Sequence, residues 1–187
     1  MNRINYYTKN LYMRDYLFKI NPKNIQNIPN FSKIILHTTI NHSEGNATDR
    51  KKILLPHLAL EMISGQKPLK TRAKNFVASF KVKKDQLLGY KVTLRHNQMS
   101  SFFEKFLSVV LPKVRDFQGF KHSSDKRGGI SFGFHNFLFF SELENHYELF
   151  QSLSGLQITF LTTSKNDDET YFLLSIYQIP FLNKSIS

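Results

Sequence analysis

The sequence predicts an α+β fold, one antiparallel or mixed β-sheet with helices packed on one of its faces, in a single domain covering residues 1–187. Three observations carry that expectation. Segments with apolar residues every three or four positions are interspersed with segments that alternate apolar and polar residues or are β-branched, so helices and strands are mixed along the chain. A length of 187 residues is that of one domain. No internal repeat, low-complexity tract or linker divides the chain.

The elements are expected in the following order. Residues 9–20 place Leu11, Tyr12, Tyr16, Leu17 and Ile20 at helical spacing, and Asn21-Pro22 stops the pattern. Residues 31–40, rich in Ile, Thr and Phe, read as a strand, and 41–48 as a polar loop around Gly45. Asp49 is placed to cap a helix running to about Ile63. Ile53, Leu54, His57, Leu58, Leu60 and Met62 give that helix a broad apolar face. Pro56 is expected to kink it or shift its start, and Ser64-Gly65 to end it.

Residues 67–80 read as a short strand, a turn and a second extended piece, followed by a basic hairpin loop over 81–88. The run GYKVTLR at 89–95 alternates as a half-buried strand does, sending Lys91, Thr93 and Arg95 to one face and Val92 and Leu94 to the other. Residues 98–111 form an amphipathic helix with Phe102, Phe103, Phe106, Leu107 and Val110 on one side, and Pro112 is expected to end it. A long polar loop then runs from 115 to 129 and finishes in Lys126-Arg127-Gly128-Gly129, which reads either as a phosphate nest or as a flexible turn. Strands are expected at 130–135, 137–140 and 156–163. A helix over 167–178 has an acidic first turn that suits its dipole.

Charge narrows the function. Lys and Arg number 26 against 14 Asp and Glu, a net charge of +12 with a pI near 9.8. The excess is uneven: residues 1–48 carry +4, residues 49–127 carry +12 and residues 128–187 carry −4. Within 67–95 stand Lys67, Lys70, Arg72, Lys74, Lys81, Lys83, Lys84, Lys91 and Arg95 against the single acid Asp85, interleaved with Phe76, Phe80 and Tyr90. A solvated surface explains scattered lysines. This density with aromatics favours a nucleic acid. Phe80 reads equally as a core residue or as a base-stacking one.

Several chemistries are excluded. There is no Cys, hence no disulfide scaffold, thiol nucleophile or thiolate metal site. The seven His, at 37, 42, 57, 96, 122, 135 and 146, show no zinc-ligand spacing, and neither a GxSxG, a Walker loop nor a GxGxxG occurs. Carboxylates gather at Glu142, Glu144, Glu148 and 167–169, away from the basic stretch, whereas a metal-dependent nuclease needs acids facing its phosphate groove. No catalytic residue, metal site or cofactor is expected. No apolar run approaches the roughly 18 residues of a membrane span.

From residue 63 onward the chain resembles a known family. Ile63-Ser64-Gly65-Gln66-Lys67-Pro68-Leu69, then Thr71, Ala73, Val77-Ala78 and Phe80-Lys81, then Gly89 and Lys91-Val92-Thr93-Leu94-Arg95, resemble the large-subunit ribosomal protein L-five family of bacteria and organelles. The likeness continues through Leu111-Pro112, Arg115-Asp116-Phe117 with Gly119, Arg127-Gly128, Ser131 with Gly133, Gly155, Ile158-Thr159, Thr162-Thr163 and Pro180-Phe181, about residues 11–182 in all. The resemblance implies a non-enzymatic constituent of the large subunit's central protuberance, docked on 5S rRNA and adjacent large-subunit rRNA. It also implies a basic loop towards the P-site tRNA, and contacts with a small-subunit head protein and neighbouring large-subunit proteins. The RNA-binding set so implied is His37, Gln66, Lys67, Lys70, Thr71, Arg72, Lys74, Phe80, Lys91, Thr93 and Arg95. The tRNA-facing loop holds Lys81, Lys83, Lys84 and Gln86. His37 stands where the family commonly has an Asn, Ser79 where it has a Gly, and Lys126 and Gly129 depart from its usual Asp-Gly-Arg-Gly-Asn pattern.

Compartment is read from composition. Lys, Asn, Ile, Phe and Tyr number 19, 15, 14, 18 and 8, residues with A/T-rich codons, while Ala occurs four times. With a first helix close to Met1, no presequence is expected. The expectation is a mitochondrial ribosome in the matrix and a gene in the organelle's own genome, with a chloroplast or an A/T-rich bacterial cytoplasm as alternatives. The competing functions are an RNA-binding or RNA-modifying protein outside the ribosome and a peripheral membrane protein held through 81–84. Neither a cofactor pocket nor clustered acids speaks for the enzyme, and no membrane partner is expected.

Overall fold

The computed structural model describes residues 8–20, 22, 24–40, 50–80, 82–115, 117, 119, 124–125, 128–153, 155–164 and 166–181. Their elements confirm the α+β class. After a π-turn at Thr8–Tyr12 come α1 (Met13–Ile20), β1 (Phe31–Thr39), α2 (Arg50–Ser64), β2 (Leu69–Arg72), β3 (Leu87–Leu94) and α3 (His96–Lys105). Then follow β4 (Ser124–Asp125), β5 (Gly129–Phe134), α4 (Ser141–Glu144), α5 (Tyr147–Phe150), β6 (Leu156–Thr162) and α6 (Asp167–Ile176). The six strands form one sheet in the order β2-β3-β1-β6-β5-β4, with β2 antiparallel to β3 and β4 antiparallel to β5. Two compact units are distinguished, one of Met1–Ile34, Arg95–Phe132 and Thr159–Ser187, the other of Ile35–Leu94 and Gly133–Ile158.

The first unit is held by aromatic rings. Phe160, on β6, is fully buried, with Phe103 at 5.5 Å, Phe106 and Phe132 at 5.6 Å and Phe31 at 6.3 Å between centroids. Tyr177 closes the group edge-on to Phe103 at 5.4 Å. On α1 and the turn before it, the spacing of four puts Tyr12 and Tyr16 on one side, 5.8 Å apart, both buried, with Tyr12 stacked on Tyr177. Burial pushes both phenols' pKa values up, Tyr12 the more strongly.

A polar knot lies in the same unit. The Thr162 hydroxyl donates to the Gly128 carbonyl at 2.8 Å and pairs with the Ser164 hydroxyl, which in turn pairs with that of Thr170 at the start of α6. Gly128 has φ +70°, and a Cβ there would lie 2.6 Å from Ser164 Oγ. The glycine is therefore required by a tight buried turn instead of the flexible one expected, and Lys126 and Arg127 of the phosphate-nest alternative lie outside the described residues.

In the second unit α2 packs on β3, α4 and α5. Pro56, Ala59, Leu60 and Ile63 form its buried side, and the His57 ring meets the Tyr90 ring at 5.1 Å. Gly65, with φ +65°, ends the helix by donating its N–H to the Glu61 carbonyl at 2.8 Å.

Several local expectations are corrected. Pro56 does not shift the start of α2, which runs through it from Arg50. Pro112 does not end its helix: a π-turn at Phe106–Val110 and a last turn at Leu111–Lys113 prolong α3 past it. Residues 137–139 are a 3-10 turn instead of a strand, because the i, i+3 spacing puts both Phe137 and Phe140 into the core while a strand would splay them. The loop over 115–129 contains β4, and α4 and α5 were not foreseen. The second extended piece before Phe80 reduces to one bridge, Val77 to Val82, with a 3-10 turn at Ala78–Phe80. The expected loop at 41–48 and the Asp49 cap lie outside the described residues.

Candidate nucleic-acid interface

Strand parity builds the candidate surface. On β3, Tyr90, Val92 and Leu94 are buried while Lys91 is exposed and Thr93 partly so, the division that alternation demands. On β1, Leu36 and Thr38 are buried, as is Ile40 just beyond it, while His37 is half-buried and Thr39 exposed. Register carries the pattern to the edge strand. Leu69 pairs with Lys91, Lys70 with Tyr90 and Thr71 with Gly89, and directly opposed residues share a face. The open face of this unit therefore brings together Leu69, Thr71, Lys91, Thr93 and, from β1, His37.

The same register separates residues that the sequence grouped. Lys70 lies on the parity of Tyr90, the side covered by α2, although its own side chain is exposed at the sheet edge. The register shifts between Thr71 and Arg72, so strict alternation ends before Arg72, which is exposed. The Thr71 Oγ1 is buried without a hydrogen-bond partner among the described residues and is not offered to solvent. Lys67 and Lys74 are exposed. Gln66 is half-buried, and its backbone is tied to the Ser64 hydroxyl at 3.2 Å through both N–H and carbonyl, so it shapes the turn leaving α2. Arg95, exposed, is the first residue of the next segment of the other unit.

Residues 73–86 form the loop between β2 and β3. It is closed at its base, where Ala73 donates its N–H to the Gln86 carbonyl at 2.9 Å and Asp85 donates to the Ala73 carbonyl at 3.0 Å. The Gln86 side-chain carbonyl accepts the Lys83 N–H at 2.8 Å, which makes Gln86 a brace of the turn instead of a free contact. Lys83 and Lys84 are exposed; Lys81 lies outside the described residues. Phe80 is 78% exposed and Phe76 66%, so core packing is excluded for Phe80 and both rings are open to stacking.

Burial, and then the charge of Lys91, lower the pKa of His37 from its ordinary 6.5. The face therefore presents a neutral imidazole, one nitrogen donating and one accepting, beside an ammonium. The folded state resists protonation that the unfolded chain accepts, so stability is unaffected above pH 6.5 and falls as pH drops below it. In denaturant melts from pH 7.5 to 5.0, His37→Asn is expected to flatten this fall by at most one proton's worth of slope. Equal slopes would show that His37 is not held neutral.

Sequence reasoning missed Gln157 and Thr39, both exposed at solvent-side parity in this unit. Their signal was present: Leu156 and Ile158 flank Gln157 as buried positions, and the same alternation read for β3 applies to β6.

The class defined by fold and site is an α+β protein whose second unit has one sheet side covered by α2 and the other side open, with the amine, hydroxyl and imidazole of Lys91, Thr93 and His37. Comparison with known proteins gives the family. Residues 87–181 match the model of the C-terminus of the ribosomal L5 family. The chain is 39% identical over 185 residues to the large ribosomal subunit protein uL5m of Reclinomonas americana, covering 98% of this chain and 100% of that one. It is 40% identical over 165 residues to uL5 of Clostridium acetobutylicum, covering 87% and 88%. It is 37% identical over 177 residues to uL5 of Buchnera aphidicola, covering 94% and 96%. The chain belongs to the L5 family of ribosomal proteins, in its bacterial and organellar branch, a family of structural components and not of enzymes.

Proposed function

We propose that this chain is a structural constituent of the large ribosomal subunit whose open sheet face docks on rRNA. The observation that carries the reading is the parity of β3: Lys91 and Thr93 face outward beside His37 while Tyr90, Val92 and Leu94 are buried. A-form RNA is met through phosphates and 2′-hydroxyls, the groups that an ammonium, a hydroxyl and a neutral imidazole recognise. In the finer reading the RNA is 5S rRNA with adjacent large-subunit rRNA in the central protuberance, contacted through His37, Gln66, Phe80 and Thr93. The loop over 81–86 reaches the P-site tRNA, and an edge meets the small-subunit head. The ribosome is mitochondrial, a reading supported by the uL5m relative and the A/T-codon composition, and the gene is in the organelle genome. Residues 1–187 act as one domain, to be tested by whether unfolding is a single cooperative transition.

Sedimentation of organelle lysate through a high-salt gradient, with sequencing of RNA crosslinked to the chain, tests the assignment. Co-migration with the large subunit and crosslinks to 5S rRNA from residues 66–95 are expected. A chain left at the top of the gradient rejects the ribosomal reading, and crosslinks confined to other RNA reject the 5S one. The loop has its own test. Lys83→Ala with Lys84→Ala is expected to weaken RNA binding and reduce the salt slope by about one unit per lost phosphate contact. An unchanged slope would show that the loop does not touch phosphate.

A further inference from the structure

The tip of the loop between β2 and β3 is a small hairpin of its own. Val77 and Val82 each donate a backbone N–H to the other's carbonyl, at 3.1 and 3.2 Å, and a 3-10 turn at Ala78–Phe80 lies between them. Every residue from 74 to 80 is exposed. Phe76 stands just before the bridge and Phe80 at the end of the turn, 66% and 78% exposed, with Val77 at 39%. Backbone bonds hold this hairpin together, and neither ring meets another aromatic ring among the described residues. Charge along the loop and along β2 has one sign but for a single residue. Lys74, Lys81, Lys83 and Lys84 stand in the loop and Lys70 and Arg72 on the strand leading into it, against Asp85. Asp85, also exposed, lies at the loop's base, where its N–H donates to the Ala73 carbonyl at 3.0 Å.

We infer that Phe76, alongside Phe80, is a stacking contact for unpaired RNA bases, so that the loop tip selects single-stranded over fully paired RNA. The inference rests on the rRNA-docking reading above and adds a second mode of contact to it. The sheet face of Lys91, Thr93 and His37 suits phosphates and 2′-hydroxyls, which a duplex displays along its whole length. A phenyl ring gains from a base only through the flat face of that base, and inside a duplex both faces are covered by neighbouring pairs. Lysines that hold the backbone close, with rings that take the bases, are the combination that binds single strands without reading their sequence. A lipid surface is the other occupant that suits exposed rings among cations. RNA is favoured because the loop continues β2 and β3, whose open face carries the groups proposed to dock on rRNA.

Binding of the full chain to two probes tests this: an oligoadenylate of about twelve nucleotides, and the same strand paired with oligouridylate. Phe76→Leu keeps an apolar side chain and removes the flat ring. It is expected to weaken binding of the single strand about tenfold, within the range for one stacked base, and to leave its salt slope unchanged. Binding of the duplex should change by about twofold at most, since no stacked base is lost there. Phe76→Tyr, which keeps a ring, should bind the single strand as the unmodified chain does. Phe76→Gln is the second variant should Phe76→Leu fail to fold. An equal loss with both probes, a reduced salt slope, or undiminished single-strand binding by the ringless variants overturns the inference alone. So does ring-dependent binding to vesicles of phosphatidylcholine and cardiolipin in place of the single strand. Failure of the unmodified chain to bind either RNA overturns the rRNA-docking reading with it.

Discussion

Phe160→Ala is expected to destabilise the protein by about 3–5 kcal/mol, the range for removing a fully buried phenyl ring. For a chain of this size that is a fall in Tm of about 10 °C. The ring has no exposure and is surrounded by Phe31, Phe103, Phe106 and Phe132 at centroid distances of 5.5–6.3 Å. These neighbours come from separate stretches of the chain, so no single local adjustment closes the cavity. Part of the loss is transfer of the ring to water. The rest is contact forfeited by the four rings that remain. Phe160→Leu, which keeps most of the volume, should cost about 1.5 kcal/mol. Denaturant titration decides the matter: a loss below about 1 kcal/mol for the alanine variant would show that the cluster is not this unit's core.

The second large effect falls on the candidate interface. Gly89→Ala is expected to cost about 3 kcal/mol, at the upper end for overpacking, because the added methyl meets backbone that has no rotamer to turn. An ideal Cβ at Gly89 would stand 2.1 Å from the Thr38 carbonyl oxygen and 3.1 Å from both Thr38 C and Thr39 Cα. Relief requires β3 to move away from β1, straining the adjoining bond from the Ile40 N–H to the Leu88 carbonyl at 2.8 Å. That movement carries Lys91 and Thr93 away from His37, so RNA affinity should fall together with stability. Gly133→Ala is the control: nothing lies within 4 Å of its Cβ, and a change of no more than about 1 kcal/mol is expected. Unaltered stability in Gly89→Ala would mean that the two strands are not in the close approach described.

The family resemblance was legible because the block over 63–95 is dense in matching residues, and the comparisons bear it out. Strand β3 and its two faces were legible from seven consecutive residues, since a period of two is a local property of the backbone. The helical spacing of Leu11, Tyr12, Tyr16 and Leu17 was legible too, but only packing showed that Tyr12 and Tyr16 are buried while Leu11 and Leu17 are exposed. Phe137 and Phe140 were misread because Phe-rich runs suit a strand and a 3-10 turn alike, and the position of the core chooses between them.

The α+β class, the basic block over 67–95, the outward parity of Lys91 and Thr93, and the family were all readable from the residues alone. Each is written in neighbouring positions or in composition. Packing and strand register were needed to learn that Lys70 lies on the opposite parity from Lys91, that Gln86 braces a turn and that Phe80 is open to solvent. They also set His37 beside Lys91, made the Gly128 turn tight and buried and left Leu54, Leu58 and Met62 exposed. Those facts depend on pairing between strands and on contact between segments distant in the chain, and no local pattern encodes which partner a strand or a helix face meets.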